Sequence, residues 1–372
     1  MRVLGWVAAT LAVAVLAAVV GAGWHYSNVL REDGLLAKPE EAPTYDLPVL
    51  DVTEETITLP RTAATAQDGV WGLQWEDGYA QVGPVLAAGP QQLTRELRPL
   101  GELPEVGQKV RLDGYAFPGD PRSAFSLTFR EVEVVSELGR FPAWLVEGSS
   151  DTWAIFVHGK GAELRQSLRA LRPVAELGLP ALVISYRNDP GAPATPDRLH
   201  HFGRTEWEDV QAAVDYALEE GAERFLLVGY SMGGAIAVNF LYESPVAELV
   251  EGAVLDSSVL DLGATVDWEG DRRDIPPQLT TLAKAISSVR FGISWSAMDL
   301  VARSEELETP ILLFHGEEDE TVPIETSRAL EAARPQLVTY VQVEGAGHVE
   351  AWNANPVAYE ASVREFVKRV VE

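Results

Sequence analysis

The 372-residue chain contains no cysteine. Disulfides, thiolate metal sites, iron–sulfur clusters and a cysteine nucleophile are excluded together, and redox chemistry says nothing about the compartment. Positive charge is scarce: 29 Lys and Arg stand against 56 Asp and Glu, a formal net charge of −27. A surface this acidic repels polyphosphate and anionic headgroups, which argues against nucleic acid as a partner and against adhesion to lipid through surface charge. Histidine is confined to His25, His158, His200, His201, His315 and His348. The adjacent pair His200 and His201 is expected to be exposed and lacks further ligands at useful spacing, so no metal is expected.

Charge is also absent from Val3 to Gly23, a run made mostly of Ala, Val and Leu. About 20 such residues, at about 1.5 Å each, cross a ~30 Å hydrocarbon core. Arg2 and the terminal amine precede the run, and Arg31, Glu32 and Asp33 follow it. The positive-inside rule then puts the terminus in the cytoplasm and the rest of the chain across the membrane, with Trp6, Trp24 and Tyr26 near the two interfaces. The run is longer than the usual ~7–15-residue signal core, which favours an uncleaved anchor over residues 1–30. Val20-Gly21-Ala22 offers a small-residue cleavage site, so secretion after cleavage is the alternative. Residues 31–49 carry Ala37-Lys38-Pro39-Glu40-Glu41-Ala42-Pro43-Thr44 and read as a polar linker.

Residues 50–147 show short alternating runs separated by Gly, Pro and Asp, such as Glu55–Leu59, Gly69–Leu73, Lys109–Leu112 and Glu131–Val135, with an Asp77-Gly78 hairpin signal. They predict a small β-rich region without a chemistry-bearing motif. From 148 to 372 the texture changes. Apolar strand candidates at 152–157, 181–185, 224–228, 252–255, 311–314 and 337–343 alternate with helix-period segments, which predicts a parallel α/β sheet covered on both faces. Residues 257–308 break the rhythm and read as an insertion above the sheet.

Gly229-Tyr230-Ser231-Met232-Gly233 follows the strand 224–228 directly and opens an apolar helix. A serine on so sharp a strand-to-helix turn needs glycine neighbours, and its hydroxyl stands exposed at a helix N-terminus that favours a developing oxyanion. The base it needs is His348, in the loop Glu344-Gly345-Ala346-Gly347-His348 after the last strand. The acid candidate is Asp319 in His315-Gly316-Glu317-Glu318-Asp319, placed to fix the imidazole tautomer. His315 itself reads as structural. Two backbone donors are needed for an oxyanion hole. Met232 supplies one and the loop His158-Gly159-Lys160-Gly161 the other, with Lys160 first and Gly159 and Gly161 as alternatives; His158 is expected to brace the loop. Tyr186-Arg187-Asn188-Asp189 reads as a loop tie. Trp268, Phe291, Trp295 and Trp352 are candidates either for an apolar pocket or for packing.

These motifs, His158-Gly159, the Gly229–Gly234 turn, His315-Gly316-x-x-Asp319-x-x-Val322-Pro323 and Gly347-His348, resemble in order those of the α/β-hydrolase superfamily, in particular its serine-aminopeptidase-like and lysophospholipase-like branch. The resemblance implies a mostly parallel eight-stranded sheet with a lid at about 257–308, and the chain order Ser231, Asp319, His348 is that of its triads. Some members keep the acid one strand earlier, which makes Asp256 the reserve. The expectation is a membrane-anchored serine hydrolase outside the cytoplasm, acting without a cofactor on a small-molecule or lipid-like ester, thioester or amide. The alternatives are a silent hydrolase fold used for binding or assembly, and an acyltransferase using the same triad.

Overall fold

The computed structural model describes residues 2–39 and 42–371. The terminal amine at Met1, and Glu40 and Glu41 of the expected linker, lie outside the described residues. A helix runs unbroken over Arg2–Val29 and widens into a π-helical turn at Leu30–Leu35. Its first half is lined with exposed apolar side chains such as Trp6, Leu11, Val13 and Leu16, and it is long and apolar enough to cross a membrane. Its last turns pack on a helix spanning Pro277–Phe291. Gly23 permits that approach, because a Cβ there would lie 2.6 Å from the Leu282 side chain.

Two sheets follow. The first is antiparallel and has seven strands: β1 (Leu47–Pro48), β2 (Asp51–Val52), β3 (Thr56–Pro60), β4 (Trp71–Trp75), β5 (Gly78–Ala88), β6 (Gln92–Pro99) and β7 (Lys109–Asp113), in the order β1-β7-β4-β5-β6-β3-β2. Alternation along these strands buries Ile57, Leu59, Trp71, Leu73, Trp75, Val82, Leu97 and Val110 in a core of their own. The second sheet has eight strands: β8 (Phe129–Ser136), β9 (Gly139–Val146), β10 (Thr152–Val157), β11 (Ala181–Ile184), β12 (Arg224–Tyr230), β13 (Val250–Asp256), β14 (Ile311–Gly316) and β15 (Val338–Val343). Their order is β15-β14-β13-β12-β10-β11-β9-β8. The strands from β10 onward pair in parallel, while the β8–β9 hairpin joins the β11 edge antiparallel. β10 to β14 are buried almost throughout, as a sheet covered on both faces requires.

Three expectations need correction. The β-rich segment 50–147 is divided between the sheets, because β8 and β9 belong to the second one. An alternating antiparallel hairpin looks the same in sequence whichever sheet it joins. The segment 31–49 is not a free linker either: Leu35 and Ala37 are buried, and Leu36 bridges Leu199 antiparallel. That bridge accounts for the third. His200, expected at the surface, is 3% exposed, and its N–H donates to the Leu35 carbonyl.

Candidate active site

The carboxyl ends of β10, β12, β14 and β15 converge on Ser231. The residue sits at φ 52°, ψ −116° between β12 and the helix Met232–Glu243. A conformation this sparse costs about 1–3 kcal/mol and persists only where surrounding structure enforces it. Here the Ser231 N–H donates to the Asp256 carbonyl at 2.9 Å, and the Ser231 carbonyl accepts from Val259 and Gly234. The flanking glycines are sterically required. A Cβ on Gly229 would lie 2.7 Å from the Gly233 carbonyl oxygen, and one on Gly233 would strike the carbonyls of Val157 and His158.

His348 leaves β15 on a glycine-bearing loop, with its Nε2 2.9 Å from Ser231 Oγ and its Nδ1 2.8 Å from Asp319 Oδ2. A carboxylate only accepts, so Nδ1 carries the proton and Nε2 keeps the lone pair facing the hydroxyl. Burial opposes ionisation of Asp319, but hydrogen bonds from His315 and His348 and the N–H of Val322 outweigh it and hold the carboxyl well below the ordinary carboxylate range. Asp319 Oδ1 accepts the Thr321 and Val322 N–H groups at 2.8 and 2.9 Å. His315 lies fully buried, its Nε2 3.1 Å from the Val322 carbonyl and 3.3 Å from Asp319, its Nδ1 accepting from Ser327 Oγ. It braces the acid, in keeping with a structural role.

Asp256 is placed differently. Among the described residues its side chain accepts only from Ser257 Oγ, at 3.3 Å, and burial pushes its pKa up to about 6. The structure therefore brings Ser231, His348 and Asp319 together and leaves Asp256 aside.

The loop after β10 lies against the Ser231 turn, and a Cβ on Gly159 would be 3.2 Å from Ser231 Cβ. The Gly159 N–H is occupied by Gln166 Oε1 at 2.8 Å, which removes it as an oxyanion donor. Among the described residues the N–H groups of Met232, Lys160 and Gly161 meet no acceptor. His158 braces the loop from below: Nδ1 faces the Gly159 carbonyl at 2.9 Å and Nε2 faces Asp189 at 3.0 Å. Both neighbours only accept, which favours the cationic ring. Burial alone would lower its pKa, but the Asp189 carboxylate raises it. Tyr186 stacks on the ring and donates to the Gly159 carbonyl, and Arg187 is buried on Asp209. Tyr186–Asp189 is thus a loop tie.

The sequence signals missed the frame around His348. Val349, a β-branched residue at φ 57°, is held by its N–H on Ser257 Oγ and its carbonyl on Arg169 Nη1. Glu350 accepts from the Gly347 N–H and from Gln67 Nε2, and Asn353 exchanges hydrogen bonds with Val70. Gln67 and Val70 come from the β3–β4 segment of the first sheet. No local motif could have found them, since the contacts span 283 residues.

An apolar cavity of about 590 Å³ opens beside Ser231, within the usual range for small-molecule sites. Tyr26, Val29 and Leu30, Phe202, and Val259, Leu262 and Val266 form its walls. The four aromatics considered from the sequence lie elsewhere. Trp352 packs on Phe117 and donates to Glu360, Trp295 donates to the Lys284 carbonyl, and neither Phe291 nor Trp268 lines the cavity. They were visible as aromatics, but which face each presents is a tertiary matter.

Residues 154–362 match the alpha/beta hydrolase family. The chain belongs to the alpha/beta hydrolase family. Residues 48–113 of this hydrolase match a second family, described as a domain of unknown function (DUF8805). The hydrolase is 28% identical over 254 residues to an uncharacterized protein of Mycobacterium tuberculosis, covering 65% of this chain and 80% of the relative. Among solved structures it resembles the Pyrococcus furiosus esterase Pf2001 (TM-score 0.54, 22% identity, 68% of this chain and 95% of that one). It also resembles a Mycobacterium tuberculosis puromycin-hydrolyzing peptidase (TM-score 0.55, 17% identity, 79% and 44%). At such identities the likeness is one of fold.

Proposed function

We propose that this hydrolase is a membrane-anchored serine hydrolase that cleaves an acyl ester, thioester or amide through an acyl-enzyme on Ser231. The observation that carries this reading is the continuous hydrogen-bond chain Asp319–His348–Ser231, with the serine held in a strained turn facing an apolar cavity. His348 Nε2 takes the hydroxyl proton as Ser231 Oγ bonds to the carbonyl carbon, and the cation formed is stabilised by Asp319. The tetrahedral oxyanion is met by the N–H of Met232 and of Lys160, both without other acceptors. His348 returns the proton to the leaving alcohol, thiol or amine as its bond to the acyl carbon breaks. A water then loses a proton to His348, attacks the acyl-enzyme and releases the acid, restoring Ser231. No cofactor enters the sequence.

Anchoring rests on the apolar first half of the N-terminal helix, and its unbroken course into turns packed on the helix Pro277–Phe291 favours retention over cleavage after Ala22. The charge arrangement then puts the catalytic body outside the cytoplasm.

A fluorophosphonate probe tests the chemistry. Labelling of the wild-type protein and not of Ser231→Ala supports it; a well-folded wild-type protein that resists the probe and hydrolyses no activated ester is instead a silent fold.

A further inference from the structure

The N-terminal helix does more in this structure than lead into the body. Its last turn and the π-helical turn after it supply Tyr26, Val29, Leu30, Asp33, Gly34 and Leu35 to the wall of the cavity that holds Ser231. Across from them stand Leu262, Val266, Ile275 and Ala283 of the insertion. The two walls are bolted together: Ser27 Oγ and Ser287 Oγ are 2.9 Å apart and buried, and Arg290 Nη2 donates to Asn28 Oδ1 at 2.8 Å. The same turn is tied to the oxyanion loop, because Lys160 Nζ donates to the carbonyls of Asp33 and Gly34 at 2.9 and 2.7 Å.

Distance along the helix gives this wall its meaning. The Ala-, Val- and Leu-rich run ends at Gly23, and the first charge beyond it is Arg31. At about 1.5 Å per residue Tyr26 and Leu30 lie only about 5 to 10 Å beyond it, at the depth of lipid headgroups. The outer surface there suits an interface. Trp24 is half exposed under the Arg290 guanidinium, 3.9 Å from its ring centroid, and Val289 beside it is 89% exposed. A cavity with apolar walls and an ionic rim of Glu269, Arg272, Arg273 and Glu320 thus opens beside the point where the helix leaves the bilayer.

We propose that the end of the N-terminal helix is part of the substrate site: a long acyl chain lies between Tyr26–Leu30 and the insertion helices, and its ester reaches Ser231 from the bilayer surface. This rests on the anchored serine-hydrolase reading above. Tyr26 and Leu30 are then specificity-determining residues, although they stand some 200 positions before the nucleophile in the chain. A short acyl group needs only Ser231 and its immediate neighbours and is indifferent to them.

The test uses the full-length protein in phospholipid nanodiscs, with p-nitrophenyl acetate in solution and p-nitrophenyl palmitate in the bilayer. Leu30→Trp narrows the cavity from the helix side and Val266→Trp from the insertion side. Each is expected to lower kcat/KM for the palmitoyl ester by about tenfold or more, the order a reshaped apolar pocket commands. Acetyl-ester hydrolysis falls by much less than palmitoyl-ester hydrolysis, and fluorophosphonate labelling of Ser231 reports that each variant is folded. Equal losses on both esters in labelling-competent variants, or no loss on either, overturn the proposal. So does a wild-type protein that cleaves the acetyl ester through Ser231 and not the palmitoyl ester. Absence of any Ser231-dependent labelling or cleavage overturns the underlying serine-hydrolase reading as well, and so is distinguishable.

Discussion

The two sheets treat their buried polar groups in opposite ways. In the first, Arg95 is fully buried, and four of its five N–H donors meet backbone carbonyls: Nε that of Gly83, Nη1 those of Thr65 and Gln67, and Nη2 that of Gly69, at 2.7 to 3.0 Å. In the second sheet the carboxyl ends carry strained backbone at Ser231 and Val349, and free N–H groups at Met232 and Lys160. A satisfied network rigidifies a fold, whereas a developing charge requires unspent donors. The sheets meet at the His348 loop, through Gln67 on Glu350 and Val70 on Asn353. The first sheet therefore supports the loop that carries His348.

Substitutions can break this contrast. The largest effect is expected at the free end of the relay. Ser231→Ala should abolish ester turnover, a loss on the order of 10⁶-fold, and Asp319→Asn should cost about 10⁴-fold by releasing the wrong imidazole tautomer. Turnover of an activated ester checks both, with thermal melting as the control. Arg95→Met should do the reverse. It strands four carbonyls, those of Thr65 and Gly83 in buried residues, lowering stability by about 3 kcal/mol in a denaturant titration while Ser231 labelling of the folded protein is unchanged.

A smaller change sharpens the boundary. Gln67→Leu removes the donor to Glu350, and kcat should fall several-fold, about 1 kcal/mol, with KM nearly constant. An unaltered kcat would make the first sheet a neighbour only.

The smallest effect separates the two buried acids. Asp256, raised to about 6 from 3.8, disfavours the folded state once it ionises. Its penalty is small at pH 3.5, grows from about pH 4 and is complete by about pH 7. Asp256→Asn should therefore gain about 1 kcal/mol at pH 8 and little at pH 3.5, with turnover within a few-fold of wild type. Asp319 has the opposite sign. Its lowered pKa stabilises the fold above the ordinary carboxylate range, and that contribution is lost as the pH falls through it. Melting curves at the two pH values read both; a large turnover loss in Asp256→Asn would reassign the acid.

Much of the second sheet was legible because its signals are local. Strand, turn and helix around Ser231 are adjacent in sequence, and strained glycine-flanked turns leave a motif. Six of its eight strands appear as apolar runs, and the order Ser231, Asp319, His348 follows the chain. The choice of Asp319 over Asp256 was legible only as an order of motifs; the 2.8 Å contact to His348 is a matter of which carboxylate the fold turns toward the ring.

Composition and local pattern thus determined the class of fold and the apolar helix, singled out Ser231 and His348 as candidates, and excluded cysteine and thiolate chemistry outright. Only the tertiary structure decided that β8 and β9 join the second sheet, that Gln166 takes Gly159 out of contention as a donor, and that Tyr26 and Leu30 wall the cavity. The reason is physical. A turn or an amphipathic run is imposed by residues a few positions apart, while an edge pairing, an occupied donor or a pocket wall exists only once distant segments have packed.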